Sequence, residues 1–195
     1  MDTVKFVIEQ YVEEEFGFGF PVINIYINGR NLIDLVSEIE NRQPGLDNKD
    51  FTRSGYLGFE VTRFERFHSE MLGKKAFPKS VLLTCTCTFE QCNCLMAEIV
   101  FEAQVVTWSA IKNPWLGGPT PSPFLDPEEA QEAGWKPVDY ADLGPFVFDR
   151  EQYLVALDKV TQEWESNRDL FFPPASSTSH DASEYGLLGG VAFGK

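Results

Sequence analysis

Four cysteines fall within ten residues, Cys85, Cys87, Cys92 and Cys94, in the spacing C-x-C-x4-C-x-C. Thiols at this density have three uses. They can hold a structural zinc, which takes four ligands in a tetrahedron at about 2.3 Å from each sulfur. They can form a redox pair or a cross-strand disulfide. They can also stay unliganded and pack as small hydrophobes. A secreted disulfide framework would spread its cysteines to close long loops, so the clustering argues against one. Read as a hairpin with Thr88-Phe89-Glu90-Gln91 as its loop, the segment sets Cys87 opposite Cys92 and Cys85 opposite Cys94. Alternation along the strands would then place all four sulfurs on one face. The outgoing strand resists this, because its apolar set is Leu95, Ala97, Ile99 and Phe101, of opposite parity to Cys92 and Cys94. Either a bulge near Asn93 or Leu95 restores the parity, or Cys92 and Cys94 belong to the loop.

His68 is the other metal-ligating candidate and could complete a site with three of the cysteines; its alternative is a surface histidine after a strand. His68-Ser69-Glu70 has the H-x-E form of the zinc deaminases, but no C-x-x-C follows and no proline precedes Cys85. His180 is the only other histidine, so Ser-His-Asp and Cys-His arrangements have almost no candidates. Neither a G-x-x-x-x-G-K-[ST] loop nor a G-x-G-x-x-G after a strand is present. A zinc-dependent enzyme built on Cys85, Cys87 and Cys92 is therefore the second expectation, behind a non-enzymatic protein. Trp108, Trp115, Trp135 and Tyr140 gather around a proline-rich stretch, 113–145. Aromatics on loops can anchor a partner, or they can pin the loop to a sheet.

The elements that must position these residues follow from periodicity. Residues 3–16 fit a strand or a helix. Gly17 to Pro21 is expected to break that element. Val22 to Ile27 reads as a strand with Ile23, Ile25 and Ile27 on one face, and Asn28-Gly29 is a turn signal. Asn31 caps a helix to about Arg42, with Leu32, Leu35, Val36 and Ile39 as its buried stripe. Residues 56–66 alternate like a strand, as do Val81 to Thr88 and Leu95 to Val106. The 113–145 stretch reads as a covering loop with one short helix that Asp126 caps and Pro127 begins. Asp149 and Gln152 open a last helix to about Asn167, with Tyr153, Leu157, Val160 and Trp164 facing the core. The expected fold is α+β: a mainly antiparallel sheet, two principal helices at about 31–42 and 150–167, and a long Pro-rich covering loop. Residues 1–172 form a single domain, and 173–195 a flexible or docking C-terminal tail.

Composition bounds the rest. The 195 residues are 43% hydrophobic and include 17 Phe, enough for a core without staples. Thirty acidic residues against 16 basic give a net charge of −14. That balance disfavours nucleic acid over a broad surface and anionic membranes, and it would steer a basic protein partner. The opening Met1-Asp2-Thr3-Val4-Lys5 lacks a basic region followed by a long apolar run, so a cytoplasmic location is expected.

Three blocks together resemble a family of uncharacterised bacterial proteins. They are Ile25-Tyr26-Ile27-Asn28-Gly29-Arg30-Asn31-Leu32; Leu82 to Cys87 with Cys92, leading to Val106-Thr107-Trp108-Ser109; and Leu143-Gly144-Pro145-Phe146-Val147-Phe148-Asp149-Arg150 with Gln152-Tyr153. The resemblance implies that C-x-C-x4-C is the shared unit, with Cys94 an extra of this chain. It brings no activity. The functional expectation is an acidic cytosolic module that binds or inhibits another protein, immunity-like in character, with a structural cysteine cluster.

Overall fold

The computed structural model describes residues 1–13, 18–42, 55–74, 79–86, 94–116, 127–132 and 136–171. The chain opens with a long hairpin, β1 (Val4–Glu13) and β2 (Phe18–Ile27), paired along its whole length from Val4↔Ile27 to Glu13↔Phe18. Pairing settles the ambiguous first segment as strand. It also carries β2 through Gly19 and Pro21, where a break was expected. Before Val22 the strand pairs only with β1 among the described residues, so Pro21 sits in a one-sided stretch that tolerates a missing donor.

Asn28 (φ 52°) and Gly29 (φ 80°) make the two-residue turn into β3 (Arg30–Asn31). Both residues are left-handed, the geometry a tight hairpin needs. Asn31 then caps α1 (Leu32–Glu40), its side-chain oxygen accepting from the Ile33 amide at 2.9 Å.

The expected strand at 56–66 is cut short. β4 (Tyr56–Leu57) and β5 (Phe59–Glu60) are followed by a 3-10 turn and by α2 (Phe64–Met71). Alternation holds for Leu57, Phe59 and Val61, but Phe64, Phe67 and Met71 are spaced for a helix and are buried on one side of it. β6 (Ser80–Cys85) and β7 (Leu95–Phe101) follow, then β8 (Val105–Lys112). Leu95 to Val106 is thus two strands joined by a tight turn. The turn closes through the Glu102 amide to the Val105 carbonyl at 2.9 Å, and no glycine or proline marks it. The short helix α3 (Pro127–Glu132) starts where the proline placed it; Asp126 lies outside the described residues. β9 (Phe146–Asp149) leads into α4 (Arg150–Ser166), which Asp149 caps by accepting from the Gln152 amide at 2.9 Å. A last turn, α5 (Arg168–Phe171), ends the described chain; the tail expected at 173–195 lies beyond it.

The strands form two antiparallel sheets, β1-β2-β3 with β5 also on β2, and β4-β6-β7-β8-β9. Among the described residues the sheets are joined in two places. Gly58 separates β4, in one sheet, from β5, in the other. At the opposite edge Asp2 bridges Phe148 in parallel, exchanging two 2.8 Å bonds with Val147 and accepting a third from Asn28. Helices α2 and α4 pack together in the core against β1. Phe64 stacks on Trp164 at 4.5 Å, Phe6 meets Phe67 at 5.3 Å and Tyr153 at 5.9 Å, and the Tyr153 hydroxyl donates to the Met71 carbonyl. The fold is α+β, as expected. No helix among the described residues is long and apolar enough to cross a membrane.

Candidate functional site

Cys85 ends β6 and Cys94 lies just before β7; both are buried. Cys87 and Cys92 lie outside the described residues. Leu83 pairs with Leu95, so the same register sets Cys94 beside Thr84, not opposite Cys85 as the four-residue hairpin loop requires. The irregularity that adjusts parity is in the incoming strand, at Leu82, instead of near Asn93 or Leu95. His68 is on α2, where its ring lies 6.1 Å from that of Phe64. Burial, with a smaller effect of Lys74, moves its pKa below the usual histidine value. Among the described residues no three His, Cys, Asp or Glu side chains are placed to share a metal ion, so His68, Cys85 and Cys94 are not brought together.

The aromatic candidates separate. Trp108 has no exposure and packs edge-on against Phe148 at 5.2 Å and Tyr153 at 6.0 Å. A side chain so placed offers a partner no contact area. Trp115 is half-buried and Trp135 lies outside the described residues. Tyr140 is buried too, but its hydroxyl leads to a buried polar group that joins four parts of the described chain.

That group is centred on Glu40, the last residue of α1. Leu32, Val36 and Glu40 share one stripe of the helix at intervals of four residues, so the helix that buries two aliphatic side chains must bury the carboxyl as well. Tyr56 of β4 and Tyr140 both donate to Glu40 Oε1, at 2.6 and 2.7 Å. The Tyr56 hydroxyl in turn accepts from Asn113 Nδ2 at 2.6 Å. Asn113 has no exposure, and its Oδ1 accepts from the amides of Trp115 and Leu116 at the end of β8. Burial pushes the Glu40 pKa up, and the two hydroxyls offset only part of the rise. Burial, reinforced by the neighbouring carboxylate, pushes both tyrosines far up, so each keeps the proton it donates to Glu40.

Chemically, a buried carboxyl of raised pKa is a potential general acid. Here its Oε1 meets two hydroxyls that come from elements of the fold, and Asn113 anchors one of them. The arrangement ties α1, β4, β8 and the segment containing Tyr140 into one node. Beside it lies a groove of about 460 Å³ lined by Lys79, Ala110, Lys112, Asp139 and Tyr140. Ala110 and Ile111 together oppose Ala97, a bulge in which Ala110 takes φ 48° and its carbonyl accepts from Lys79 Nζ at 2.7 Å.

Two features were missed by sequence reasoning. Glu40 was findable, since it continues the stripe of Leu32 and Val36. Leu154 and Val155 on α4 are 37% and 63% exposed. They are apolar residues off the core stripe, a signal present in the sequence and passed over. No family model, no curated protein and no solved structure matches the chain.

Proposed function

We propose that the protein is a non-catalytic acidic module that binds, and by binding inhibits, a basic protein. One observation carries this reading. The net charge is −14, and Glu40 and Glu70 are the only buried carboxylates among the described residues. Each is engaged within the fold, Glu40 by two tyrosines and Glu70 by the Val81 amide at 3.3 Å and Arg66 Nε at 3.7 Å. The other described acids are exposed or half-buried, where their summed field acts on what approaches. Such a field raises association rates with cationic surfaces and rejects anionic ones.

The test is capture from native lysate on the immobilised chain, eluted with rising salt and identified by mass spectrometry. Proteins of strongly basic isoelectric point should dominate and leave as the Debye length shrinks from about 10 Å at 0.1 M to about 3 Å at 1 M salt. A captured set with no basic bias, or one indifferent to salt, would sink the reading.

A further inference from the structure

We infer that the outer face of the first turns of α4 is the docking surface, and that its occupant is a basic segment of a partner protein carrying an apolar side chain. The inference rests on the acidic-module reading. α4 commits Tyr153, Leu157, Val160 and Trp164 to the core. Glu151, Leu154, Val155 and Asp158 are spaced i, i+3, i+4 and i+7, so they share a different face. With Met1 and Ala103 they line a concavity of about 730 Å³ between the helix and the β7–β8 turn. Its apolar part is open: Val155 is 63% exposed and Met1 84%. Acids stand at both ends of the helical stripe.

Two positive groups, Arg150 and the Met1 ammonium, stand among the lining residues against the carboxylates of Asp149, Glu151 and Asp158, and the ammonium acts on the adjacent Asp2 carboxylate. The Arg150 guanidinium donates to the carbonyls of Glu102 and Ala103, at 3.2 and 3.4 Å, and so is directed at the turn. Asp149 is taken up as the helix cap. The walls are preformed. The turn closes on itself, and the Arg150 amide donates to the Gln104 carbonyl at 2.9 Å, fixing the turn to the helix. A preformed site loses little entropy on binding.

Charge selects the occupant. A second copy would bring −14 against −14. The chain's own residues 172–195 carry Asp181 and Glu184 against a single base, Lys195, so they do not complement an acidic rim. A basic segment with an apolar anchor matches both the rim and the floor, in the manner of a peptide laid in a groove.

The experiment uses the full chain and three short synthetic peptides: lysine with leucine, lysine with serine, and glutamate with leucine. Amide shifts in a 15N-labelled sample should centre on Ala103, Gln104 and residues 150–158 for the lysine–leucine peptide, with weaker binding by lysine–serine and none by glutamate–leucine. Val155→Ser and Leu154→Ser should each weaken the lysine–leucine peptide about tenfold, the effect of losing one apolar anchor. Shifts centred elsewhere, or variants within twofold of the parent, would overturn the docking face. Salt-sensitive binding elsewhere would leave the acidic-module reading standing, whereas failure of both cationic peptides at low salt would remove that reading too. A dimer in sedimentation that Val155→Ser dissociates would assign the face to a second copy. Nuclear Overhauser contacts from the Val155 methyls to residues beyond Phe171 would assign it to the chain's own end. Either result overturns the proposal.

Discussion

The node around Glu40 and the outer face of α4 are built on opposite terms. At the node, polar groups are buried and answered by one another: carboxyl by two hydroxyls, one hydroxyl by an amide, the amide's oxygen by two backbone N–H groups. On α4, apolar groups are exposed and rimmed by charge. A closed polar network in a low-dielectric interior stabilises one arrangement and releases nothing to a ligand. An open apolar face adds little to the fold where, as at Val155, most of the side chain stays in solvent. Among the described residues the most conspicuous chemistry is therefore taken up in holding the fold together, and the less conspicuous α4 surface is left open to solvent.

The comparison can be broken first at the seam between the sheets. A Cβ on Gly58 would lie 2.4 Å from the Ile23 carbonyl oxygen and 2.6 Å from Asn24 Oδ1. The Gly58 segment cannot retreat freely, since Thr84 Oγ1 donates to the carbonyls of both Leu57 and Gly58. Gly58→Ala should lower stability by about 3 kcal/mol, at the severe end for overpacking. A urea midpoint unchanged from the parent would show that the seam is loose. Asn113→Ala comes next. It leaves the Trp115 and Leu116 amides and the Tyr56 hydroxyl without their partner, a loss of about 2 kcal/mol. A smaller loss would mean that water reaches the node, and the contrast with α4 would soften.

How far this could be read from the chain differs between the two regions. The α1 cap at Asn31, the Asn28-Gly29 turn, the α4 cap at Asp149 and the α4 core stripe depend on neighbours within four residues, and all were legible. So was the α+β class. The β4–β5 crossover was not, because its cause is the approach of Ile23, distant in sequence, to a glycine that looks ordinary. Nor was the hairpin turn at Glu102 to Gln104, which contains no turn-forming residue. The node joins residues 40, 56, 113 and 140, and no local pattern pairs them. The cysteines drew attention by spacing alone, and register, a non-local property, separated Cys85 from Cys94. Trp108 was conspicuous by type, yet only the alternation of β8 assigns it to the core.

Two further changes sharpen the account of the node. Ala110 holds a left-handed φ that costs a non-glycine residue about 1 kcal/mol, so Ala110→Gly should raise stability by roughly that amount in chemical denaturation. No gain would mean that the greater freedom of glycine in the unfolded chain cancels the relief. Glu40→Gln is read in slope. The folded pKa of Glu40 lies above its ordinary 4.5, so the folded state holds the proton more tightly than the unfolded one. Its contribution is greatest below about pH 4.5 and falls as pH rises through the shifted value. Glutamine can accept from both tyrosines without that loss. The variant's stability relative to the parent should therefore climb with pH across this window and then level off. Asp2 gives the opposite sign: although burial alone would raise its pKa, bonds from Asn28 and Val147 and the nearby N-terminal charge hold it below 3.8. Its contribution is present above that value and lost as pH falls further. A parent-minus-variant difference flat in pH would show that Glu40 is not buried as drawn.

The smallest expected effect bears on the other half of the comparison. Val155→Ser, on the exposed side of α4, should change stability by less than about 0.5 kcal/mol, the ordinary range for a surface site. Leu157→Ala, two residues on but facing the core at 2% exposure, should lose about 3 kcal/mol, the usual loss for a buried leucine. The pair isolates the direction a side chain faces from its place in the helix. If Val155→Ser matched Leu157→Ala in thermal denaturation, the outer face would be part of the fold's own packing. If it left stability intact, any loss of association with a basic partner would belong to the interface itself, because nothing in the folded state would have changed to explain it.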